Sequence, residues 1–115
     1  MIDFACKKFE LNEIIKCSLN LTKLEFHILE HLIKNDEKWF STHDISNKLN
    51  IGLSTVQKAL RKLYDKNVVQ QYQKNISGGG YFFMYRITNK PKLRKTILGI
   101  VQNWTKKVEF EISLW

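Results

Sequence analysis

The segment NKLNIGLSTVQKALRKLYDKNVV, residues 47–69, decides the fold because it joins the end of one amphipathic helix to the whole of a second. At 100° per residue, a helix over residues 53–66 separates its polar and apolar side chains onto opposite arcs. The polar arc carries two lysines and one arginine against a single carboxylate, Asp65. Such an excess of one charge favours an anionic partner. The apolar arc consists of Leu53, Val56, Ala59, Leu60, Leu63 and Tyr64.

Capping signals predict where the helices before this segment begin and end. Ser41 followed by Asp44 forms a capping box, which satisfies two free amide donors at a helix start, and Thr22 followed by Glu25 forms another. Asn50 is suited to the left-handed conformation that ends a helix. Two amphipathic helices separated by a turn of three or four residues are typical of a helix-turn-helix.

A β-hairpin is predicted directly after the second of these helices, which we expect to end near Asn67. Aromatic and β-branched residues flank the glycine-rich turn NISGGG over residues 68–87. A third short strand is expected around Trp39 and Phe40. A helix-turn-helix followed by a hairpin is a winged helix, so the predicted fold class is α+β, mainly α with a small β-hairpin wing.

Additional helices are predicted at both ends of the winged helix. A first helix is expected over roughly residues 8–18, and a long last helix is expected from Asn89, with Pro91 in its first turn, where a missing amide costs little. The predicted organisation is one domain over residues 1–115, with a winged-helix core at 21–88 and a dimerisation helix at 89–115. The apolar seam of that helix consists of Leu93, Ile97, Ile100, Val101, Trp104 and Val108.

The charge distribution narrows the class of partner. Residues 1–50 contain 7 Lys/Arg and 8 Asp/Glu, whereas residues 51–115 contain 12 Lys/Arg and 3 Asp/Glu. The whole positive excess therefore lies in the second part of the chain, which points to a polyanion. The three carboxylates there are too scattered for metal-dependent nuclease chemistry, so we expect no enzyme and no cofactor. Lacking a signal-peptide pattern or an apolar span, the chain is expected to be cytoplasmic, with reduced Cys6 and Cys17.

The stretch FSTHDISNKLNIGLSTVQKALRKLYDKNVV, residues 40–69, resembles winged-helix transcription regulators of the MarR and TrmB type, particularly their short archaeal forms. The resemblance extends over roughly residues 21–88. It implies a regulator that binds double-stranded DNA as a homodimer through its terminal helices. Glycine is usual in that family where this chain has Asn50 and Asn67, and the wing tip has no basic residue beyond Lys74.

Specific side chains are predicted to contact DNA. Gln57 and Arg61 can pair bidentately with adenine and guanine, whereas Lys58 and Lys62 are point charges suited to phosphate. Hydroxyl groups at the start of the recognition helix can bind a further phosphate. The full predicted DNA-binding set is Ser54, Thr55, Gln57, Lys58, Arg61, Lys62, Lys74 and Asn75.

Several alternatives remain open from the residues alone. The winged helix could be a protein-interaction module of the transcription machinery that does not bind DNA strongly. Basic residues at the start of the last helix could contact a membrane surface, although we expect no membrane partner. His27 and His31 are spaced four apart, as metal ligands can be, but no third ligand is evident, so no metal site is predicted. A small-molecule effector is unknown.

Overall fold

A computed structural model describes residues 1–115, and its elements follow the winged-helix order. The three-stranded sheet has the order β3-β5-β4 with antiparallel pairs throughout. The predicted α+β winged-helix fold is therefore confirmed, and so is the third strand at Phe40. The elements are β1 (Ile2–Phe4), β2 (Lys7–Phe9), α1 (Leu11–Ser18), α2 (Lys23–Lys34), β3 (Phe40–Ser41), α3 (Thr42–Leu49), α4 (Leu53–Asp65), β4 (Val69–Asn75), β5 (Tyr81–Ile87) and α5 (Lys90–Ser113).

Both predicted capping boxes are present. The Thr22 hydroxyl accepts from the Glu25 amide at 3.1 Å, and the Glu25 carboxylate accepts from the Thr22 amide at 2.8 Å. Ser41 and Asp44 make the same reciprocal pair at the start of α3. At the start of α5, the side chain of Asn89 accepts from the amide of Lys92 at 2.8 Å. Local hydrogen bonds therefore fix the starts of three helices.

Asparagines in the left-handed conformation redirect the chain after three helices. Asn50 (φ 55°) ends α3 and Asn67 (φ 63°) follows α4, as predicted. Asn20 (φ 54°), between α1 and α2, was not foreseen. Because asparagine tolerates this conformation better than other residues with a Cβ, these three positions set the angles between successive helices without glycine.

The core lies between the helices and one face of the sheet. The apolar stripe of α4 packs against α2 and α3, and β4 and β5 cover the remaining side. The fully enclosed side chains include Leu19, Ile28, Leu29, Leu32, Ile45, Val56, Leu60, Leu63 and Val68. This packing holds α4 by its apolar face and leaves its other face free.

The N-terminal region differs from its predicted structure. Residues 8 and 9 belong to a short hairpin, in which Ile2 pairs with Phe9, and α1 begins only at Leu11. The prediction of a helix from residue 8 is therefore wrong at its start. Three-residue strands are too short to show an alternating pattern, whereas Phe9 matched a helical spacing by chance.

The seam residues of α5 separate into two sets. Leu93 and Ile100 pack against the core of the chain itself, and Ile97 and Val101 are half-buried. Trp104 and Val108 lie farther along the helix and are exposed. The protein is 64 Å long and only 24 Å across, as expected when a 24-residue helix runs on past the body. No helix of the protein is both long and apolar enough to cross a membrane.

Candidate nucleic-acid interface

The outward face of α4 is polar from Ser54 to Arg61, and near its end the ring of Tyr64, predicted on the apolar arc, is exposed. Val56, Ala59, Leu60 and Leu63 are buried, so the helix cannot rotate without exposing them. The turn from Asn50 to Gly52 joins α3 to α4, as in a helix-turn-helix. The predicted contact residues of α4 that this arrangement leaves exposed are Ser54, Thr55, Gln57, Lys58 and Arg61.

The charges of Lys58 and Arg61 are not neutralised within the protein. Only two side-chain ion pairs exist, Glu30 with Lys34 and Glu25 with Lys62, and neither includes these cations. The start of α4 is also without an internal acceptor, because its N-cap is Gly52, which has no side chain to bind the first amides. Free amides at a helix start and nearby free cations form an electropositive surface that suits phosphate.

Lys62 differs from the other two cations of α4. Its ammonium group donates to the backbone carbonyl of Asn20 at 2.6 Å and to the Glu25 carboxylate at 2.8 Å, and the side chain is half-buried. Lys62 therefore joins α4 to the turn before α2. Its predicted contact with phosphate stays a prediction, but that contact would require Lys62 to release two internal partners.

Glu25 is held in its charged form by this arrangement. Burial is the largest single influence on its pKa and raises it, but the opposing effects together exceed burial. These are the hydrogen bond from Lys62, the amide and hydroxyl of Thr22, and the positive charge of Lys62. The net result is a pKa below the ordinary value of 4.5. Glu25 thus serves both the capping box and the ion pair.

The wing presents its two predicted contact residues at the end of β4. Lys74 and Asn75 are both exposed, and Asn75 accepts a hydrogen bond from Gln73 at 3.2 Å. The tip closes through the amide of Ile76, which donates to the carbonyl of Gly80 at 3.0 Å. Positive φ angles at Gly78, Gly79 and Gly80 make glycine necessary in this turn.

His27 and His31, four residues apart on α2, have no third potential metal ligand close to them. No cluster of three or more His, Cys, Asp or Glu side chains exists in the protein. His31 instead packs its ring on Phe40, with centroids 5.1 Å apart, and its Nε2 atom is buried without a partner. Burial, followed by the charges of Lys48, His27 and Lys34, lowers the pKa of His31 below 6.5. Cys6 and Cys17 are exposed thiols.

Comparison with known proteins gives the family. Residues 9–108 match the family described as DnaD N-terminal domain. The chain belongs to the DnaD N-terminal domain family. The resemblance to MarR and TrmB regulators is confirmed at the level of the winged-helix fold, and the narrower type stays a prediction.

A solved structure closely matches this DnaD N-terminal domain. The protein described as a possible transcriptional regulator from Methanosarcina mazei Go1 is 39% identical, with a TM-score of 0.93 over 100% of this chain and 96% of that one. An uncharacterized protein of Methanocaldococcus jannaschii is 25% identical over 113 residues, covering 92% of this chain and 84% of that protein.

The fold also matches a protein whose structure was solved with DNA. The S. aureus MepR–DNA complex has a TM-score of 0.57 at 16% identity, covering 89% of this chain and 82% of MepR. At that identity the match establishes a common fold and no more.

Proposed function

We propose that this protein is a transcription regulator that binds double-stranded DNA in a sequence-specific manner, as a homodimer. The observation that carries the proposal is the outward face of α4, where Gln57, Lys58 and Arg61 are exposed and unpaired while the opposite face is buried. The second helix of a helix-turn-helix is the element that enters the major groove. The relative from M. mazei, described as a possible transcriptional regulator, supports the same assignment.

Each exposed residue has a role set by its chemistry. Gln57 and Arg61 would read base edges, because amide and guanidinium groups bind adenine and guanine through two hydrogen bonds. Lys58 would bind phosphate as a point charge. Ser54 and Thr55, beside the free amides of α4, would hold a second phosphate at the positive end of the helix dipole.

The wing would lie beside the duplex as a backbone contact. Lys74 and Asn75 are exposed at the end of β4, and Lys74 is the only basic residue near the tip. We therefore expect the wing to position the protein and the recognition helix to supply most of the specificity.

The proposed dimer uses α5. In this organisation the single domain, residues 1–115, has a winged-helix core at 21–88 and a dimerisation helix at 89–115. Trp104 and Val108 are exposed and would contact the second copy, whereas Leu93 and Ile100 already pack within one chain. Two recognition helices would then meet successive major grooves about 34 Å apart on a pseudo-palindromic site.

Selection of bound sequences from a random duplex pool tests this proposal directly. We expect a two-fold symmetric motif and an affinity that falls ~10³–10⁵-fold between ~50 and ~200 mM salt, if each dimer neutralises about 6–10 phosphates. Arg61→Ala should relax the preference at one position and cost ~1–3 kcal/mol, whereas Lys58→Ala should weaken all sequences equally.

A protein-interaction module would behave differently in the same assays. It would yield no enriched motif, a weak affinity for every duplex, and no change in partner binding when Lys58 is replaced by Glu. Those results together would reject the regulator proposal.

A further inference from the structure

The outer face of the wing sheet carries aromatic side chains that the proposed duplex contacts do not use. Side chains alternate between the two faces of a strand. Val69, Tyr85 and Ile87 point into the core, so their neighbours point away from it. The outward residues of the two long strands are Gln70, Tyr72 and Lys74 on β4 and Phe82, Met84 and Arg86 on β5.

Trp39, just before β3, joins this face and forms an ordered cluster with it. Its ring meets that of Tyr72 edge to face, with centroids 4.6 Å apart and planes at 82°. The guanidinium carbon of Arg86 lies 4.5 Å from the centre of the Trp39 ring. Arg86 also donates to the side-chain oxygen of Gln70 at 3.0 Å. The aromatic and cationic groups are therefore held in place before any ligand arrives.

This face is open to solvent. The helices that build the core lie against the other side of the sheet, where α4 contacts β4 and where α2 and α3 contact β5. Tyr72 remains 41% exposed even though its ring has cross-strand neighbours on this face. On this face Tyr72 and Lys74 are therefore exposed, whereas Trp39, Phe82 and Met84 are half-buried.

The strand residues of this face carry positive charge only. Their outward side chains include two cations, Lys74 and Arg86, and no carboxylate. The carboxylates nearest to Trp39 in sequence, Asp36 and Glu37, lie in the loop after α2. A ligand for this face should therefore combine flat aromatic groups with negative charge.

We propose that the outer face of the wing sheet binds single-stranded nucleic acid, with unpaired bases stacked on Tyr72 and Phe82 and phosphates paired with Lys74 and Arg86. Aromatic side chains beside cations are the combination that single strands require, because every base has a face for stacking and every linkage a charge. Paired bases cannot use such a face, because their surfaces are hidden in the duplex stack. The site is thus separate from the α4 surface proposed for duplex DNA, and it shares only Lys74 with the duplex contact proposed for the wing.

Binding of a labelled oligothymidylate of about 20 nucleotides to the full chain tests the site. Tyr72→Thr, which keeps β-propensity but removes the ring, should weaken binding roughly 5- to 150-fold, as expected for the loss of one stacked base. The matched control is Tyr81→Thr, because Tyr81 is also an exposed tyrosine of this hairpin but packs edge to face with Phe83 at the opposite face. We expect that control to bind as the parent does, and an oligouridylate to give the same pattern.

A second measurement does not depend on removing any residue of the site. In a Trp104→Phe/Trp115→Phe variant, Trp39 is the sole tryptophan, and oligothymidylate should quench its emission. Arg61→Ala should weaken binding to the specific duplex roughly 5- to 150-fold while leaving oligothymidylate binding within about twofold. These outcomes separate the site from the duplex surface.

The proposal is overturned by any of four results. They are no binding of the oligonucleotide, no quenching of Trp39, equal losses for Tyr72→Thr and Tyr81→Thr, or loss of oligonucleotide binding in Arg61→Ala. If Tyr72→Thr weakened duplex binding and single-strand binding equally, this face would belong to the duplex surface, and the proposal would again be overturned.

Discussion

Lys62 and Lys58 are four residues apart on the same helix, yet their surroundings give them different chemistry. Lys58 is exposed and unpaired, whereas Lys62 binds Glu25 and the carbonyl of Asn20. A lysine that already has two internal acceptors gains less free energy from a phosphate contact than an unpaired lysine does, because it must first break those two internal contacts. We therefore infer that Lys62 orients α4 and that Lys58 contacts DNA.

Substitution of the ion pair tests this inference. Lys62→Gln and Glu25→Gln should each lower the free energy of unfolding by about 1–2 kcal/mol, and the double variant should lose little more than either single one. Glutamine at position 25 can still complete the capping box, so the loss reports the ion pair. The measurement is urea denaturation together with the salt dependence of DNA binding.

Lys58→Gln is the control for the ion-pair variants. It should leave stability within about 0.5 kcal/mol of the parent and reduce the salt slope of duplex binding by about two, one for each copy in the proposed dimer. If Lys62→Gln reduces that slope as much as Lys58→Gln does, Lys62 contacts phosphate and the inference fails.

His31 makes stability depend on pH. Because burial and nearby positive charge lower its pKa below 6.5, the folded state favours the neutral ring. The unfolded state then binds more protons below pH 6.5, so stability is complete above that pH and declines as the pH falls toward the folded pKa. His31→Phe should keep the packing on Phe40 and flatten this decline in denaturation experiments from about pH 7.5 to about pH 5.

The exposed His43, on α3, provides the matched control for His31. His43→Gln should leave the decline in stability as steep as in the parent protein. A His31→Phe protein that loses stability in parallel with the parent would show that another group controls the acid response.

At the scale of elements, the turn between α3 and α4 sets the angle of α4. Asn50 has a φ angle of 55° there. In this left-handed conformation a side chain with a Cβ is strained, and asparagine tolerates the strain because its short polar side chain can form local hydrogen bonds. Asn50→Ala should cost about 1 kcal/mol in unfolding free energy, whereas Asn50→Gly should be neutral or slightly stabilising. Asn47→Ala, at an exposed position within α3, is the control in thermal denaturation. Equal stability of the two Asn50 variants would contradict this account.

Elements with strong local signals could be predicted from the sequence. The capping residues Ser41 and Asp44, the amphipathic pattern of α4 and the glycine-rich turn all act over a few residues, and each predicted its element. The contact of Lys62 with Glu25 could not be predicted, because it joins residues 37 positions apart. The outer-face cluster was missed for the same reason, since only the folded sheet brings Trp39 to Tyr72 and Arg86.

The shape of the whole molecule bears on its assembly. The last turns of α5 and the two residues that follow it carry apolar residues that are all at least half exposed, Phe110, Ile112, Leu114 and Trp115. The segment from Trp104 to Trp115 contains two lysines and two glutamates, whereas the whole chain has a net charge of +8. Two copies of a cationic protein repel less through a segment whose local charge is zero, so this segment is suited to self-association.

The two sets of α5 seam residues should respond differently to substitution. Trp104→Glu combined with Val108→Glu should convert the proposed dimer to a 13.7 kDa monomer with unchanged stability at low concentration, because both side chains are exposed in one chain. Ile100→Ala should instead lower the unfolding free energy by about 1–2 kcal/mol and leave the dimer intact, because this residue packs on the core of its own chain. Mass measurement in solution and urea denaturation separate these effects. A parent protein of 13.7 kDa at all concentrations would refute the dimer, whereas dissociation caused by Ile100→Ala would place the interface on the inner half of α5.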